Sequence, residues 1–577
     1  MKKLVPILAA CLFITVSFAF GQNQRIIPLS SEVYDEMDAL YLLMGLGSPS
    51  AARPWTTSEA RLILERIDSQ SLTQKEQGLY DRVAAEVFKS FRFPLDSAAG
   101  FGAQLDLALE AYTHTNTDDF VLSSDWNYGY EKRQPLAKLS LEMGLYSWLY
   151  ITTDLEYNRN RFNYRDESRA VRDLAPNVGI GGATSFSDPY LFPWRSWTYS
   201  KAFTTNIASQ TGEFDFDWPK RANITFGGEH WKLSLARDNI QWGGAKTGNF
   251  VVDSHRDYDE YFCFSAYSER FKYEWLNVFY PDPAADTQGN FKLLMAHRRV
   301  FRFLPSLVLA VSENIMCRPN GFSPHNLNPA FIYHNWYDRD NFNSIAQLEL
   351  DFSPHKGYRF YSQAVFDQIQ APWENGDEPS SWGILLGLEH TRPASSGFLS
   401  LSLEGAYTSP LLYRRDLVDF ITLGVTELTR VDQNLALDYT GFPYGGDAMV
   451  LQFDAKYRLP GTAIFYGRLF GMIHGRMNFF VSHNKDGDNT KFANLKDQTP
   501  SGSEDEREQT FGITLGGNYS IPQPVTWVKI TAWAEMDYIN KKNKLMISET
   551  GKGKDVFYHK EGSVSDFQLA MGIGLSF

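Results

Sequence analysis

The sequence ends with Phe567-Gln-Leu-Ala-Met-Gly-Ile-Gly-Leu-Ser-Phe577, in which a large apolar residue stands at every second position. Side chains two residues apart point to the same face of a β-strand, so this stretch predicts a strand with one apolar face and one small or polar face. Such a strand separates two different environments, either a protein core and water or a lipid phase and a wet interior.

The same alternation recurs along the chain from about residue 100. It is clear at 105–110 (Leu-Asp-Leu-Ala-Leu-Glu) and at 451–458 (Leu-Gln-Phe-Asp-Ala-Lys-Tyr-Arg), and again at 137–145 and 358–367. We count about eighteen such segments of roughly ten residues, the length that a tilted strand needs to cross the hydrocarbon core of a membrane. A soluble β-sandwich would also alternate, so this pattern alone does not separate the two fold classes.

The lengths of the connections between the segments distinguish a membrane barrel from a soluble sandwich. Short connections occur at 227–229, 268–270, 304–306, 354–357, 459–461 and 521–524. Long polar and aromatic connections lie near 241–259, 280–291, 316–343, 409–446, 475–508 and 541–564. Short periplasmic turns and long extracellular loops are typical of bacterial outer-membrane barrels, whereas a sandwich has no reason to alternate in this way. The terminal stretch also resembles the signal that the barrel-assembly machinery recognises on outer-membrane proteins, with Phe577 as its last residue. We therefore predict a closed antiparallel transmembrane β-barrel of about 18 strands over residues 96–577.

Residues 22–95 have a different pattern. Apolar residues in 30–46 recur with helical spacing, and the pairs Thr56/Glu59 and Thr73/Glu76 form capping boxes ahead of helices at 61–67 and 79–88. Three short helices with one apolar face each should pack as a small bundle. An even number of strands returns both ends of a barrel to one side, so the bundle is expected in the periplasm.

The first residues indicate export. Lys2 and Lys3 precede an apolar run over 4–20, and Ala19 and Gly21 are the small residues of a cleavage site before residue 22. Residues 1–21 are therefore predicted to be a signal peptide cleaved after export through Sec. Leu8-Ala-Ala-Cys11 offers an alternative, a lipoprotein cleavage box, but it would leave too short an apolar region.

Composition narrows the function classes. The net charge of −13 argues against nucleic acid, and two cysteines after the leader, Cys263 and Cys317, make no disulfide framework or zinc site. No HExxH, GxSxG or P-loop motif occurs, so we expect no enzyme, no cofactor and no metal. The mean hydropathy of −0.33 does not exclude a barrel, because barrel strands are wet on one face. We expect a monomer.

Two side-chain sets follow from the strand projection. Tryptophans near strand ends are predicted to form interfacial girdles; they are Trp148, Trp231, Trp275, Trp382, Trp527 and Trp533. Inward positions carry both charges, and the predicted lumen network consists of Arg298, Arg302, Glu349, Asp351, Arg359, Asp367, Asp454 and Arg458. This network is either an electrostatic brace of the interior or a polar conduit or glycan track.

The connection 317–343 is the most distinctive stretch. Its aromatic rings suit stacking on sugars, and its amides, carboxylate and guanidinium groups suit sugar hydroxyls. The candidate polysaccharide-binding residues are Arg318, Tyr333, Asn335, Trp336, Tyr337, Asp338, Arg339 and Asn341. The alternative is a loop that packs on itself as a plug.

The chain resembles the capsule-assembly Wzi family of outer-membrane proteins in three stretches that occur in order. These are Ile27-Pro-Leu-Ser-Ser-Glu-Val-Tyr34 with Leu40, Gly45, Arg53-Pro-Trp55 and Ser58-Glu-Ala60; His297-Arg-Arg299 with Ser312-Glu313, Asn328-Pro329, Asn341, Asn343 and Gln347-Leu-Glu-Leu-Asp351; and Tyr361-Ser-Gln363 with Asp367. The resemblance implies a helical bundle on the periplasmic end of an eighteen-stranded barrel. It also implies a lectin-like role in assembling or retaining surface polysaccharide. The competing hypothesis is a porin-like channel or transporter for a small polar solute.

Overall fold

The structure, a computed structural model, describes residues 23–95, 98–120, 125–129, 132–159, 202–207, 216–281, 291–317, 328, 342–368, 380–414, 418–427, 433–477, 499–522, 527–549 and 555–577. The predicted signal peptide, residues 1–21, lies outside the described residues.

Eighteen strands of the described chain form a closed antiparallel wall, which confirms the predicted fold class. They are β1 Ala99–His114, β2 Ala137–Leu145, β3 Leu149–Tyr157, β4 Phe216–Gly227, β5 Trp231–Asp238, β6 Asp259–Tyr267, β7 Phe271–Pro281, β8 Phe291–Leu304, β9 Leu307–Cys317, β10 Phe342–Phe352, β11 Tyr358–Gln368, β12 Ser381–Ala394, β13 Gly397–Thr408, β14 Ala448–Leu459, β15 Ala463–His474, β16 Glu508–Ile521, β17 Lys529–Glu549 and β18 Asp555–Ser576. Each strand pairs with the next, and β18 pairs with β1 to close the ring.

The terminal strand has the predicted two faces. Phe567, Met571 and Ile573 are exposed on the outer surface, whereas Asp566 and Gln568 are buried on the inner side. The backbone amide of Phe577 donates to the carbonyl oxygen of Leu105 at 2.9 Å, next to the β18–β1 seam. The outer surface is therefore apolar and the inner surface polar, as a barrel in a membrane requires.

Two long connections differ from the prediction. The stretch 541–564 was predicted to be a loop, but β17 continues to Glu549 and β18 resumes at Asp555, because inward Lys541 and Lys544 find a carboxylate partner in Asp125. The stretch 409–446 contains a hairpin of its own, Ile421–Glu427 paired with Gln433–Tyr439.

The N-terminal region has three helices in its described part: α1 Val33–Met44, α2 Thr57–Glu65 and α3 Gln74–Val87. Thr56 caps α2 by accepting from the Glu59 amide, and Thr73 with Glu76 forms a complete capping box at α3. Their apolar faces enclose one core that contains Met37, Leu40, Trp55, Ile63, Leu79 and Val83. None of these described helices is long and apolar enough to cross a membrane.

The helical bundle lies against the short-turn end of the wall. The amide of Gly47 donates to the Pro305 carbonyl at 2.9 Å, and the amide of Gly357 donates to the Leu42 carbonyl at 2.6 Å. The Arg66 guanidinium reaches the carbonyl of Ser268, in a third short turn, at 3.0 Å. The bundle thus covers the end of the barrel at which the short connections lie.

Two side-chain details complete the fold. Trp533 was predicted to join a girdle, and this is wrong: it points inward, where its indole N–H donates to Glu110 at 2.9 Å. An inward Trp finds a buried hydrogen-bond acceptor, which a lipid-facing position would not give it. Cys263 and Cys317 are both buried and free.

Candidate functional site

The lumen is occupied by the connection between β5 and β6, residues 239–258. Its strand Gln241–Trp242 pairs antiparallel with Ala52–Arg53, which belong to the link between α1 and α2. Trp242 is fully buried there. This connection starts at the long-loop end of the wall and meets the N-terminal link inside the barrel, so two segments from opposite ends are hydrogen-bonded across the lumen.

An apolar core fixes this inward segment. Phe250 lies 5.3 Å, centroid to centroid, from Phe442 of the connection 409–447, and the Tyr413 hydroxyl donates to the Phe250 carbonyl at 2.6 Å. Val365 and Leu385 of the wall are fully buried against the same core. We call residues 239–258 and the described residues of 409–447 together the plug. Apolar packing of this kind inside a barrel excludes water from that part of the lumen.

Polar wall residues attach the plug to the barrel. Predicted network residue Asp367 accepts from the Tyr413 amide at 2.8 Å. Gln363 accepts from the Phe250 amide at 3.1 Å, and Glu404 accepts from the Thr247 amide at 2.6 Å. Backbone groups that enter a low-dielectric interior need such partners, because each unpaired group costs about 1–3 kcal/mol.

Predicted network residues Arg298 and Glu349 form the central ion pair of the wall beside the plug. The Arg298 guanidinium donates two parallel hydrogen bonds of 2.8 Å to Glu349 and a longer one of 3.4 Å to Glu274. Glu274 also contacts Lys272, whose ammonium lies 2.6 Å from Glu59 on helix α2. The network therefore joins the wall to the helical bundle.

Two other predicted network residues, Asp351 and Arg302, bind the link after α1, and a third, Arg359, pairs with neighbouring wall carboxylates. Asp351 accepts from the Ser48 amide at 2.7 Å, and Arg302 donates to the Gly47 carbonyl at 3.2 Å. Arg359 lies 3.6 Å from Asp351 and 2.5 Å from Glu389. These contacts join the wall to the link between α1 and α2.

The two remaining predicted network residues, Asp454 and Arg458, lie on β14. Asp454 pairs with Arg468 at 2.7 Å. The Asp35 carboxylate of α1 lies 2.9 Å from the Arg458 guanidinium and 2.6 Å from the Lys456 ammonium. Lys456 first, and then Arg458, hold the pKa of Asp35 well below its usual range. The side chains of Arg468, Lys456 and Asp35 remain 40, 39 and 42% exposed, so water reaches this side of the lumen.

A second inward cluster surrounds Glu110. Its carboxylate accepts from the Tyr128 hydroxyl at 2.8 Å, from the Gln134 amide at 2.9 Å, from Trp533 and from Tyr112. The described parts of the connection between β1 and β2 thus fold into the lumen. Sequence spacing did not reveal this cluster, because its members come from three separate stretches.

A histidine joins the two segments of the plug. His255 lies 2.8 Å from Asp253 and 3.0 Å from Asp438. Burial alone would lower its pKa, but Asp438 and Asp253 outweigh that effect and raise the pKa of His255 to about 10. The imidazolium is therefore charged at neutral pH and bridges two carboxylates.

The candidate polysaccharide-binding residues lie outside the described residues: Arg318, Tyr333, Asn335, Trp336, Tyr337, Asp338, Arg339 and Asn341. The strands that flank them are described. Cys317 of β9 pairs directly with Phe342 of β10, at the end of the wall opposite to the Pro305 turn. The connection 318–341 therefore starts and ends at adjacent positions on the long-loop end.

Several solved structures of outer-membrane proteins are similar to this chain. Escherichia coli Wzi, an outer-membrane protein involved in group 1 capsule assembly and described as a carbohydrate-binding β-barrel, matches with a TM-score of 0.52 and 12% identity over 95% of this chain and 99% of that chain. Acinetobacter baumannii OccAB1 matches with a TM-score of 0.38 and 7% identity over 85% and 99% of the two chains. Pseudomonas aeruginosa OpdK with vanillate matches with a TM-score of 0.35 and 7% identity over 82% and 99%. No protein-family model matches the chain, and no curated protein matches it in sequence. The likeness to Wzi shows that this chain has the outer-membrane β-barrel fold.

Proposed function

We propose that this barrel binds surface polysaccharide, a capsule or an exopolysaccharide, and helps to assemble or retain it at the outer membrane without catalysing a reaction. The predicted leader, the fold and its likeness over most of the chain to a carbohydrate-binding barrel support this proposal. In the same proposal the helical bundle is periplasmic and the long connections face the outside of the cell.

The observation that carries the proposal is the plug. A diffusion channel needs a lumen that solutes cross, whereas here Gln241–Trp242 is hydrogen-bonded to Ala52–Arg53 within the barrel. Side chains of the wall are used to hold that plug in place, as Asp367 and Glu404 do. A barrel that is braced internally in this way is suited to present its outer loops on a rigid scaffold.

The connection 318–341 is the proposed binding surface. Sugars are well hydrated, so a site gains affinity from ring stacking together with directional hydrogen bonds. Trp336 and Tyr337 supply ring faces, and Asn335 supplies an amide. Arg339 would favour an acidic glycan, because charge-assisted hydrogen bonds are roughly twice as strong as neutral ones.

The test is the double variant Trp336→Ala with Arg339→Gln in cells that make the polysaccharide. We expect the polysaccharide to be released into the medium while barrel abundance and heat-modifiability stay unchanged. The matched control is Tyr146→Ala with Arg392→Gln, which removes the same chemistry from exposed residues at the short-turn end. Unchanged retention in the first double variant would remove this loop from the proposal.

A second function, a porin-like channel or transporter for a small polar solute, is favoured by one observation. The inward charges Arg468, Lys456 and Asp35 are partly exposed, so the lumen is wet beside the plug. Single-channel recording in planar bilayers separates the two functions. Polysaccharide binding with a plugged lumen predicts no stable conductance, and a steady open conductance would favour the channel.

A further inference from the structure

The outer surface of the wall carries a large groove across β11 to β18. It has a volume of about 1000 Å³, begins at Phe360 of β11 and is lined mainly by lipid-facing side chains, among them Leu386, Leu403, Leu451, Ile473 and Phe511. Its volume is at the upper limit of typical small-molecule pockets, roughly 300–1,000 Å³. The groove is shallow and open to the membrane side of the wall.

Two glycines make the floor of the groove. In the register of the sheet, Gly405 pairs with Leu451, and Leu451 pairs with Gly471, so one protruding leucine is flanked by two positions without a side chain. A Cβ atom added at Gly405 would meet nothing closer than 3.7 Å, and one at Gly471 nothing closer than 4.0 Å. Neither glycine has a left-handed φ angle. Internal packing and backbone geometry therefore do not require glycine at either position.

One end of the groove is polar. Gln509, Lys542 and Ser563 are successive partners across β16, β17 and β18, and Asn540 lies two residues before Lys542 on the same outward face. Among the described residues, the Lys542 ammonium contacts Glu504, at a long distance of 3.4 Å, and their side chains are 41 and 81% exposed. An exposed pair of this kind contributes little, so the ammonium is available to a stronger anion.

We propose that this groove binds one outer-leaflet glycolipid, with acyl chains in the two furrows over Gly405 and Gly471, on either side of Leu451, and a sugar phosphate at Lys542. The apolar floor matches a hydrocarbon chain. Phosphate forms charge-assisted bonds with an ammonium group, and the Gln509 amide and the Ser563 hydroxyl suit sugar hydroxyls. The net charge of −13 offers no general attraction for an anion, so the recognition has to be local.

The test measures lipid retention by the full chain in mild detergent with native mass spectrometry. The probe is an acylated glucosamine disaccharide that carries two phosphates, compared with its dephosphorylated form and with a phosphatidylcholine of the same chain length. We expect the wild-type protein to retain one equivalent of the phosphorylated probe in preference to the phospholipid. Gly405→Leu with Gly471→Leu should lower the affinity for both glycolipids about tenfold, and Lys542→Gln should lower it about tenfold only for the phosphorylated one.

The matched controls are the same kinds of substitution at exposed positions outside the groove. Ala534→Leu adds an apolar side chain at another exposed outward position of β17, and Lys560→Gln removes an ammonium that is also 41% exposed. Both should bind like the wild type. Should the double leucine variant lose heat-modifiability, Gly471→Val alone replaces it, because β-branched residues favour strands.

Three results would overturn the proposal: equal retention by the groove-filled and wild-type proteins, equal retention of the phospholipid, or a lipid-free dimer seated through this face. The polysaccharide-release assay does not involve the groove. Failure here therefore leaves the proposed function standing, and failure there leaves the glycolipid site standing.

Discussion

Arg298 is the residue at which the brace of the lumen can be tested most sharply. Its side chain is 2% exposed, and its main partner Glu349 is 11% exposed. Arg298→Met removes both 2.8 Å hydrogen bonds and leaves the Glu349 carboxylate buried without its cation. Breaking a buried pair in this way costs about 3–5 kcal/mol. Glu274 keeps Lys272 at 3.1 Å, so its loss is small. We expect the free energy of unfolding to fall by about 3–5 kcal/mol.

The assay is equilibrium unfolding by urea in lipid vesicles, followed by tryptophan fluorescence, with an unchanged slope as the condition for comparing variants. Arg298→Met with Glu349→Leu removes both charges and should recover most of the loss, since an apolar pair often replaces a buried ion pair without cost. Arg237→Met is the control, because its pair with Glu260 is partly exposed and should contribute less than about 1 kcal/mol. A single Arg298 variant as stable as the wild type, or a double variant that recovers nothing, would contradict a stabilising role for this buried pair.

Three further predictions concern the plug, assembly and topology. The pKa of His255 is raised from 6.5 to about 10, so its bridge stabilises the folded state fully below pH 6.5 and loses that contribution as the pH rises through 10. His255→Gln should make the free energy of unfolding less dependent on pH between 6.5 and about 10. The same pH dependence in the variant and the wild type would contradict the bridge. Replacing Phe577 with Asp should reduce insertion in cells far more than refolding in detergent, because the folded residue contributes little beyond one amide bond to Leu105 and a ring 6.2 Å from Trp527; equal losses in both assays would make it a packing residue. Protease added to intact cells should not cut between Glu32 and Arg92, and a cut there without damage to the outer membrane would reverse the topology.

The wall was predictable from sequence because its signal is local. In 105–110 and in the terminal stretch, the alternation of apolar and polar residues shows which face of the strand each side chain occupies. This two-residue alternation does not depend on distant contacts. The helices of the bundle were predictable for the same reason, since Thr73 and Glu76 lie within one turn and cap each other. Helix bounds moved by a few residues, as α1 begins at Val33 and ends at Met44.

The interior was not predictable in the same way. The predicted charges do face inward, but their partners come from distant stretches: Asp35 with Arg458, and Ser48 with Asp351. No spacing rule joins residues that are hundreds of positions apart. One short sequence pattern indicates the plug. It is the apolar run Phe250-Val251-Val252, inside a connection that was predicted to be polar and extracellular. A buried run of this kind in a long loop indicates a segment that folds inward.

The proposed function depends most directly on whether the folded barrel binds the polysaccharide of its own cell surface. The measurement is affinity electrophoresis of the purified full-length protein through native gels that contain that polysaccharide, with a neutral dextran gel as the reference. We expect the wild-type protein to be retarded in proportion to polysaccharide concentration, and the Trp336→Ala, Arg339→Gln variant to migrate as it does in dextran. Identical migration of the wild-type protein in both gels would contradict the proposal that this barrel binds surface polysaccharide.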